Sequence, residues 1–199
     1  MYSDRVQEAI NFVYEKHSGH YRKTSKIPYI VHLFDVMFIL YYERERDSSI
    51  DDDVIIGGLL HDVNEDVNVS FDEIELKFGK KVRDYVFNAS EPEDLRKKCI
   101  CRIDTWKERK LHTINHVKDL NKNGKYLLCA DKLSNLTSIL NDLSCLKEEE
   151  KIWGKFSVPK GEVKWYYFSC IKELSEIKES LMYKKICYVY SQVFKEEIN

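Results

Sequence analysis

The chain of 199 residues is long enough for one domain with a substantial core, or for two small ones. Hydrophobic residues make up 43% and charged residues 33%, which excludes a disordered or fibrous protein. The net charge of −2 gives no global support for sequence-independent binding of nucleic acid, which depends on clustered positive charge. Seven glycines and three prolines are too few for a barrel or sandwich of many short strands, so the composition predicts an all-α fold.

The sequence carries no sign of membrane insertion or export. No stretch approaches about 18 uninterrupted apolar residues, and the chain start lacks a basic head followed by an apolar core. The six cysteines form no CxxC pair, which favours reduced thiols over a disulfide framework. We therefore expect a cytoplasmic protein that has neither a membrane nor a nucleic acid as its partner.

Hydrophobic residues recur at helical spacing along the first half of the chain. The first pattern is amphipathic, whereas the second is apolar nearly all round, which is typical of a buried helix. Three consecutive aspartates at 51–53 favour the start of the third predicted helix, because they can cap it and because they complement the helix dipole. The predicted helices are 3–16, 30–42, 54–61, one that follows the Ser70 capping box and ends at Gly79, and 80–89.

The second half continues the helical pattern with two clear interruptions. An Asn-Lys-Asn-Gly loop lies at 121–124, and a segment with proline and glycine lies at 158–161. The predicted helices are 95–117, 126–143, 148–156 and one or two over 162–194. Because no repeat or linker separates two domains, we predict a single all-α domain over 1–199 with roughly nine or ten helices.

The stretch from Leu59 to Asp66 combines a histidine with three acids. His61 and Asp62 are followed four residues later by Glu65 and Asp66, so a continuous helix would place these side chains on neighbouring faces of its end. The carboxylates repel one another, and a divalent metal ion held by imidazole and carboxylates would relieve that repulsion. A core histidine beside a solvated acidic helix end is the alternative.

Two further places support the metal interpretation. His32 lies in the buried helix over 30–42 without an evident local partner, and a metal ion would supply one. Asp131 and Asn135 are four residues apart, and with Ser138 they form a polar strip on a helix otherwise lined with leucine and isoleucine. The strip predicts the wall of a pocket, and a solvated surface stripe is its alternative.

In this order, the histidine, the His-Asp pair and the distant aspartate resemble the ligands of the HD phosphohydrolases. More narrowly, the chain resembles the hydrolase domain of RelA/SpoT homologues and its small stand-alone relatives. The matching segments are 17–32 (HxxQxRK…PYIxH), 61–66 (HDxxED), 78–82 (FGxxV), 106–110 (the helix that bears an Arg-Lys pair) and 130–135 (ADKxxN). The resemblance extends from about residue 5 to about residue 170 and implies an HD-domain helical bundle.

The resemblance implies a metal centre. The ligands at the matching positions are His32, His61, Asp62 and Asp131. In relatives the metal is usually manganese, and a mixed nitrogen and oxygen set with room for water fits manganese. Iron, cobalt and zinc are compatible with the same ligand types.

The resemblance also implies roles for residues around the metal. Glu65 and Asp66 would orient or deprotonate the attacking water. Arg22 would hold substrate phosphates as a fork, and Lys23 would do so as a point charge. The other implied substrate contacts are Asn135 and Ser138 near the nucleoside, and Arg109 and Lys110 near the distal phosphate. For Arg109 and Lys110, a solvated helix face is the alternative.

Four places depart from the family pattern, and one is the segment 24–26, which lacks the family's frequent Gly or Asp. His20 stands where the family usually has Gln, Leu33 replaces the Pro that follows the motif histidine, and Asn64 replaces an aliphatic residue within HDxxED. None of these changes removes a ligand or a catalytic carboxylate. They bear on whether the guanosine pocket is the same as in the family.

The implied activity is hydrolysis of a small phosphorylated nucleotide by a metal-activated water. By resemblance, pyrophosphate leaves the 3′ position of guanosine tetra- or pentaphosphate. The alternatives are a phosphatase for another nucleotide, such as the 2′-phosphate of NADPH, and a non-catalytic nucleotide-binding HD protein. The presence of Glu65 and Asp66 beside all four ligands favours an enzyme. The aromatic-rich terminal helices leave a homodimer open.

Overall fold

The computed structural model describes residues 2–22, 26–97, 103–145 and 149–198. Within these ranges the regular elements are helices, apart from an isolated bridge between Tyr21 and Pro28, and the predicted all-α class is confirmed. Nine helices in the described ranges have eight or more residues, and three more span five residues each. No helix among the residues searched is long and apolar enough to cross a membrane.

The helices follow one another along the chain with short connections. They are α1 (Asp4–Lys16), α2 (Ile30–Arg44), α3 (Asp52–Leu60), α4 (Val63–Val67), α5 (Phe71–Phe78), α6 (Lys80–Ala89), α7 (Glu93–Lys97), α8 (Trp106–Val117), α9 (Lys122–Cys145), α10 (Glu149–Trp153), α11 (Lys160–Glu173) and α12 (Leu181–Phe194). A 3₁₀ turn over Ser175–Ile177 precedes α12.

Side-chain caps set several helix starts, including those that the sequence predicts at Ser70 and at the three consecutive aspartates. Ser3 accepts a hydrogen bond from the backbone N–H of Val6, and Ser70 accepts one from that of Glu73. Asp51 caps α3 by accepting from the backbone of the two residues that follow Asp52. At Gly79 the backbone has a φ of 94°, which favours glycine, and this separates α5 from α6.

The chain divides into two compact groups of residues, and α3 lies at the centre of the first, which comprises 1–90 and 121–131. Helices α1, α2 and α6 all pack against α3, whose residues from Val54 to Leu60 are buried. Glycine permits this close packing, because a Cβ at Gly57 would lie 2.8 Å from Tyr85 Cβ. The core of this group therefore surrounds the helix that leads directly into the His-Asp pair.

The second compact group comprises 91–120 and 132–199, and α11 packs there against α8 and α12. Aromatic rings contribute to this packing, since Trp106 of α8 lies against Trp165 and Tyr166 of α11. Aromatic side chains bury large apolar areas, so these contacts suit a core. The expectation of one functional domain over 1–199 stays a prediction.

Several predicted boundaries in the second half are wrong. The helix expected over 95–117 is interrupted by a turn at Ile103–Thr105, after which α8 begins. The loop expected at 121–124 is instead the start of α9, because the Asn121 side chain accepts from the backbone N–H of Gly124 and caps the helix. The break expected through 161 ends at Pro159, which precedes the first residue of α11.

Candidate metal centre

The four predicted ligands lie on three parts of the first compact group. His32 is on α2, His61 and Asp62 form the turn between α3 and α4, and Asp131 is on α9. Both histidines and Asp131 are buried, whereas Asp62 is partly exposed. Residues that are up to 99 positions apart in the chain thus supply polar groups to one small volume.

The donor atoms of these side chains converge. The Nε2 atoms of His32 and His61 are 3.3 Å apart, and Asp62 Oδ2 lies 2.9 Å from the His61 nitrogen and 3.5 Å from the His32 nitrogen. Asp131 Oδ1 lies 3.4 Å from His32 Nε2 and 3.6 Å from His61 Nε2. Ligands bound at about 2.1 Å to one ion stand about 3.0–3.4 Å apart in tetrahedral or octahedral geometry. His32, His61 and Asp62 therefore have the spacing that one divalent metal ion needs, and the Asp131 oxygen approaches both histidine nitrogens.

The His-Asp pair lies in a turn, so the segment 59–66 is not the continuous helix on which the spacing of its acids was interpreted. Helix α3 ends at Leu60, and α4 begins at Val63. His61 Nδ1 lies 2.7 Å from the carbonyl oxygen of Gly58, and a carbonyl can only accept, so Nδ1 carries the proton. This bond turns Nε2 toward the other donors, in the way that a backbone carbonyl fixes the ring of a metal-bound histidine.

The electrostatics of the cluster favour positive charge. Burial opposes a charged His61, but the carboxylates of Asp62 and Asp131 outweigh it and raise the pKa of His61 well above its ordinary value. Burial also opposes a charged Asp62, yet His61 and the hydrogen bonds from both histidines hold the pKa of Asp62 well below its usual range. A protonated imidazole thus stabilises the cluster in the way that a metal ion would.

Tyr29 belongs to this cluster, although it was absent from the site predicted from the sequence. Its hydroxyl donates to Asp62 Oδ2 at 2.5 Å. Burial and the charges of Asp62 and Asp66 raise the pKa of Tyr29, so it remains a neutral donor. Its position three residues before His32 was the available signal, because one turn at the start of α2 separates the two side chains.

Glu65 and Asp66, the predicted catalytic acids, lie on α4 directly after the His-Asp turn. The backbone N–H of Asp66 donates to the carbonyl oxygen of Asp62 at 2.9 Å, which ties α4 to the ligand turn. Although Asp66 is exposed as a residue, desolvation of its carboxyl group raises its pKa, and the charge of Asp62 adds to the shift. Glu65 is partly exposed.

Comparison with known proteins identifies the family. The HD-domain family model matches residues 9–150, which is more than half of the chain. This chain belongs to the HD-domain family. It is 37% identical over 135 residues to the guanosine-3′,5′-bis(diphosphate) 3′-pyrophosphohydrolase MESH1 of Xenopus tropicalis, a match that covers 67% of this chain and 69% of the relative.

Two solved structures are similar to this HD-domain protein. One, described as a metazoan orthologue of SpoT that hydrolyses ppGpp, has a TM-score of 0.75 at 24% identity, covering 96% of this chain and 97% of the other. A Listeria monocytogenes protein has a TM-score of 0.69 at 29% identity, covering 83% of this chain and 99% of the other. The first match is below 25% identity and bears on the fold alone.

The segment before α2 brings Arg22 to this part of the HD-domain protein. The Arg22 guanidinium carbon lies 5.5 Å from the centre of the Tyr29 ring. The ring of His17 also stacks on the ring of Tyr29, with the ring centres 5.2 Å apart and an interplanar angle of 17°. Burial lowers the pKa of His17 to about 4, and neither of its ring nitrogens has a hydrogen-bond partner. Lys23, the second predicted phosphate ligand, lies outside the described residues.

The remaining predicted substrate residues belong to the second compact group. Asn135 and Ser138 are partly exposed on α9, four and seven residues after Asp131. Arg109 is buried and bonded to Glu91, and Lys110 Nζ lies 2.8 Å from the same carboxylate. The alternative of a solvated face therefore does not hold for Arg109.

Two of the departures from the family pattern have structural explanations. Asn64 donates from its side chain to the carbonyl oxygen of Val69 at 2.9 Å, which fastens the segment after α4. Leu33 is fully buried and belongs to the core. His20 is exposed, and its ring meets that of His17 edge-on at 5.6 Å. Of the segment 24–26, residues 24 and 25 lie outside the described residues.

Proposed function

We propose that this HD-domain protein is a metal-dependent phosphohydrolase that releases pyrophosphate from the 3′ position of guanosine-3′,5′-bis(diphosphate). The observation that carries the proposal is the convergence of two imidazole nitrogens and two carboxylates. One oxygen of each carboxylate lies within 3.6 Å of the Nε2 atoms of both His32 and His61. The substrate is supported by the MESH1 relatives, whose printed name is that of this pyrophosphohydrolase.

His32, His61, Asp62 and Asp131 would hold the ion, and we propose manganese as its identity. The mixed nitrogen and oxygen set suits manganese, although iron, cobalt and zinc accept the same donors. When bound, such an ion lowers the pKa of water and neutralises charge on phosphoryl oxygens. Asp62 is the ligand most exposed to a substrate, since the other three are buried.

Glu65 and Asp66 are proposed to orient the attacking water and to take its proton. The water oxygen bonds to the phosphorus next to the ribose, the bond from that phosphorus to the 3′ oxygen breaks, and the freed 3′ oxygen takes a proton. Both carboxyl groups follow the ligand turn on α4. A positioned general base contributes typically about 10²–10⁴-fold to a rate.

Arg22 and Lys23 are proposed to bind the substrate phosphates, and Asn135 and Ser138 the nucleoside. Arg109 and Lys110 are kept as candidates for the distal phosphate, but a phosphate there would compete with Glu91. The two cations, together with burial that opposes them, set the pKa of Glu91 at about 2, so this carboxylate is charged at neutral pH. Binding of a phosphate would therefore have to displace an ion pair.

The setting of the reaction is also a proposal. Cys129 and Cys170 are buried and are not joined in disulfides, which supports a reducing compartment, and we propose the cytoplasm. The homodimer suggested by the terminal helices stays a prediction, and sedimentation velocity tests it. A single functional domain over 1–199 stays a prediction as well.

The test is a hydrolysis assay on manganese-loaded protein with guanosine tetraphosphate and NADPH as separate substrates. We expect pyrophosphate from the first and no phosphate from the second. Asp62→Ala should abolish release because it removes a ligand, and Glu65→Gln should lower kcat by about 10²–10⁴-fold.

The matched control is Asp84→Ala, which removes a carboxylate that pairs with Lys80 on α6. This variant should turn over as the wild type does. Release of phosphate from NADPH without release of pyrophosphate from guanosine tetraphosphate would make NADPH the substrate instead. Binding of nucleotide without turnover of either substrate would assign a non-catalytic role.

A further inference from the structure

We propose that Tyr29 is a positioning residue that fixes Asp62 for metal binding and ties the segment of Arg22 to the metal centre. The inference rests on the proposed function in one respect, the assignment of Asp62 as a metal ligand. It adds a residue that is neither a proposed ligand nor a proposed catalytic acid, and that acts through the carboxylate to which it donates.

The phenol of Tyr29 is in direct contact with the carboxylate of Asp62. Tyr29 Oη donates to Asp62 Oδ2 at 2.5 Å, and the same oxygen lies 2.9 Å from His61 Nε2. The hydrogen bond therefore reaches the very oxygen that faces the other donors. A carboxylate can rotate about its Cβ–Cγ bond, and a donor fixed in the protein selects one orientation.

The phenol itself is held firmly. The backbone N–H of Tyr29 donates to the His20 carbonyl at 2.8 Å, and its carbonyl accepts from the backbone N–H of His32 at 2.9 Å. The ring of Tyr29 is stacked against His17 and meets the ring of His32 edge-on at 5.5 Å. Two metal-ligand side chains, His32 and Asp62, thus each contact the same tyrosine.

This tyrosine is also linked to the proposed phosphate site. Arg22 lies over the Tyr29 ring, and the backbone N–H of Arg22 donates to the carbonyl of Ile27 at 2.9 Å. The backbone at Arg22 is thus bonded to the segment that leads into Tyr29. Placement of the guanidinium and placement of the Asp62 carboxylate consequently depend on one ring.

Residues that orient metal ligands typically contribute about 10–100-fold to metal affinity. We therefore expect Tyr29→Phe, which keeps the ring and its stacking, to weaken Mn²⁺ binding by about tenfold or more. Tyr29→Leu removes the ring as well, so it should raise KM in addition to weakening the metal.

The matched control is Tyr126→Phe. Tyr126 Oη donates to Asp47 Oδ2 at 2.9 Å in the same compact group, so the variant deletes the same kind of hydrogen bond at a carboxylate that is not a proposed ligand. If Tyr29 had only a structural role, the two variants would lower the melting temperature of the metal-free protein without changing metal affinity.

The experiment is calorimetric titration of metal-free wild type, Tyr29→Phe and Tyr126→Phe with Mn²⁺, with melting temperatures measured in parallel. Weaker binding in Tyr29→Phe alone supports the proposal. Equal affinity in all three proteins, or equal loss in both variants, overturns it, as does a wild type that binds no ion. A wild type that binds Mn²⁺ but releases no pyrophosphate defeats the proposed substrate and leaves the test of Tyr29 intact.

Discussion

At the scale of single residues, one backbone carbonyl determines which ring nitrogen of His61 points toward the other proposed ligands. The bond from Nδ1 to the oxygen of Gly58 commits the other nitrogen, Nε2, to the cluster. The sequence could predict the His-Asp pair, because its residue types and spacing are distinctive. It could not predict Tyr29 as a partner of Asp62, because the two are 33 positions apart and a hydroxyl in a helix-start segment has many ordinary uses.

The ion pairs of Glu91 illustrate how burial changes the value of a charge. Glu91 is almost fully buried with Arg109, and Lys110 completes the network above the ring of Tyr166. Removing one partner of a buried pair is costly, about 3–5 kcal/mol, because it leaves a buried charge without compensation. A surface pair contributes only about 0–1 kcal/mol.

We therefore expect Glu91→Gln to lower the free energy of unfolding at pH 7 far more than Glu75→Gln, which breaks the surface pair with Arg83. Since the pKa of Glu91 is lowered to about 2 in the folded protein, its contribution is present above the unfolded pKa of about 4.3 and is lost as pH falls toward 2. The difference between wild type and Glu91→Gln should shrink from pH 6 to pH 3 in urea unfolding. A difference that stays constant over that interval would contradict the assignment.

At the scale of elements, helix α3 leads directly into His61, so the position of the site depends on how closely α3 packs against α1, α2 and α6. Periodicity and capping residues predicted most helices of the first half, because each pattern is local. The turn at His61 escaped prediction, since the 59–66 pattern alone is compatible with a continuous helix. The start of α9 escaped as well, because Asn-Lys-Asn-Gly serves equally as a loop or as a capped helix start.

Gly57→Ala tests the packing of α3. The added Cβ would lie 2.8 Å from Tyr85 Cβ, an atom fixed to the backbone of α6, so the two helices would have to separate. We expect the free energy of unfolding to fall by about 1–3 kcal/mol, as overpacking typically costs. Gly161→Ala is the control, because nothing lies within 4 Å of its Cβ and alanine favours helix by up to about 1 kcal/mol. Equal stability of the two variants in urea would show that α3 does not need the glycine.

At the scale of the whole molecule, composition and motif order were sufficient for the all-α class and for the HD-domain family. They were not sufficient for the division into two compact groups, because no linker marks it in the sequence. The α9 helix supplies Asp131 to the first group and carries Asn135 and Ser138 in the second. One of the four proposed metal ligands, Asp131, and both proposed nucleoside contacts therefore lie on α9.

We propose that one ion held by His32, His61, Asp62 and Asp131 supports pyrophosphate release. The most direct measurement is a titration of metal-free protein with Mn²⁺, in which bound ion and pyrophosphate released from guanosine tetraphosphate are recorded together. We expect the rate to rise in proportion to bound ion and to reach its maximum at one ion per chain. Equal activity in the metal-free protein, or a fully loaded protein that releases no pyrophosphate, would contradict the account.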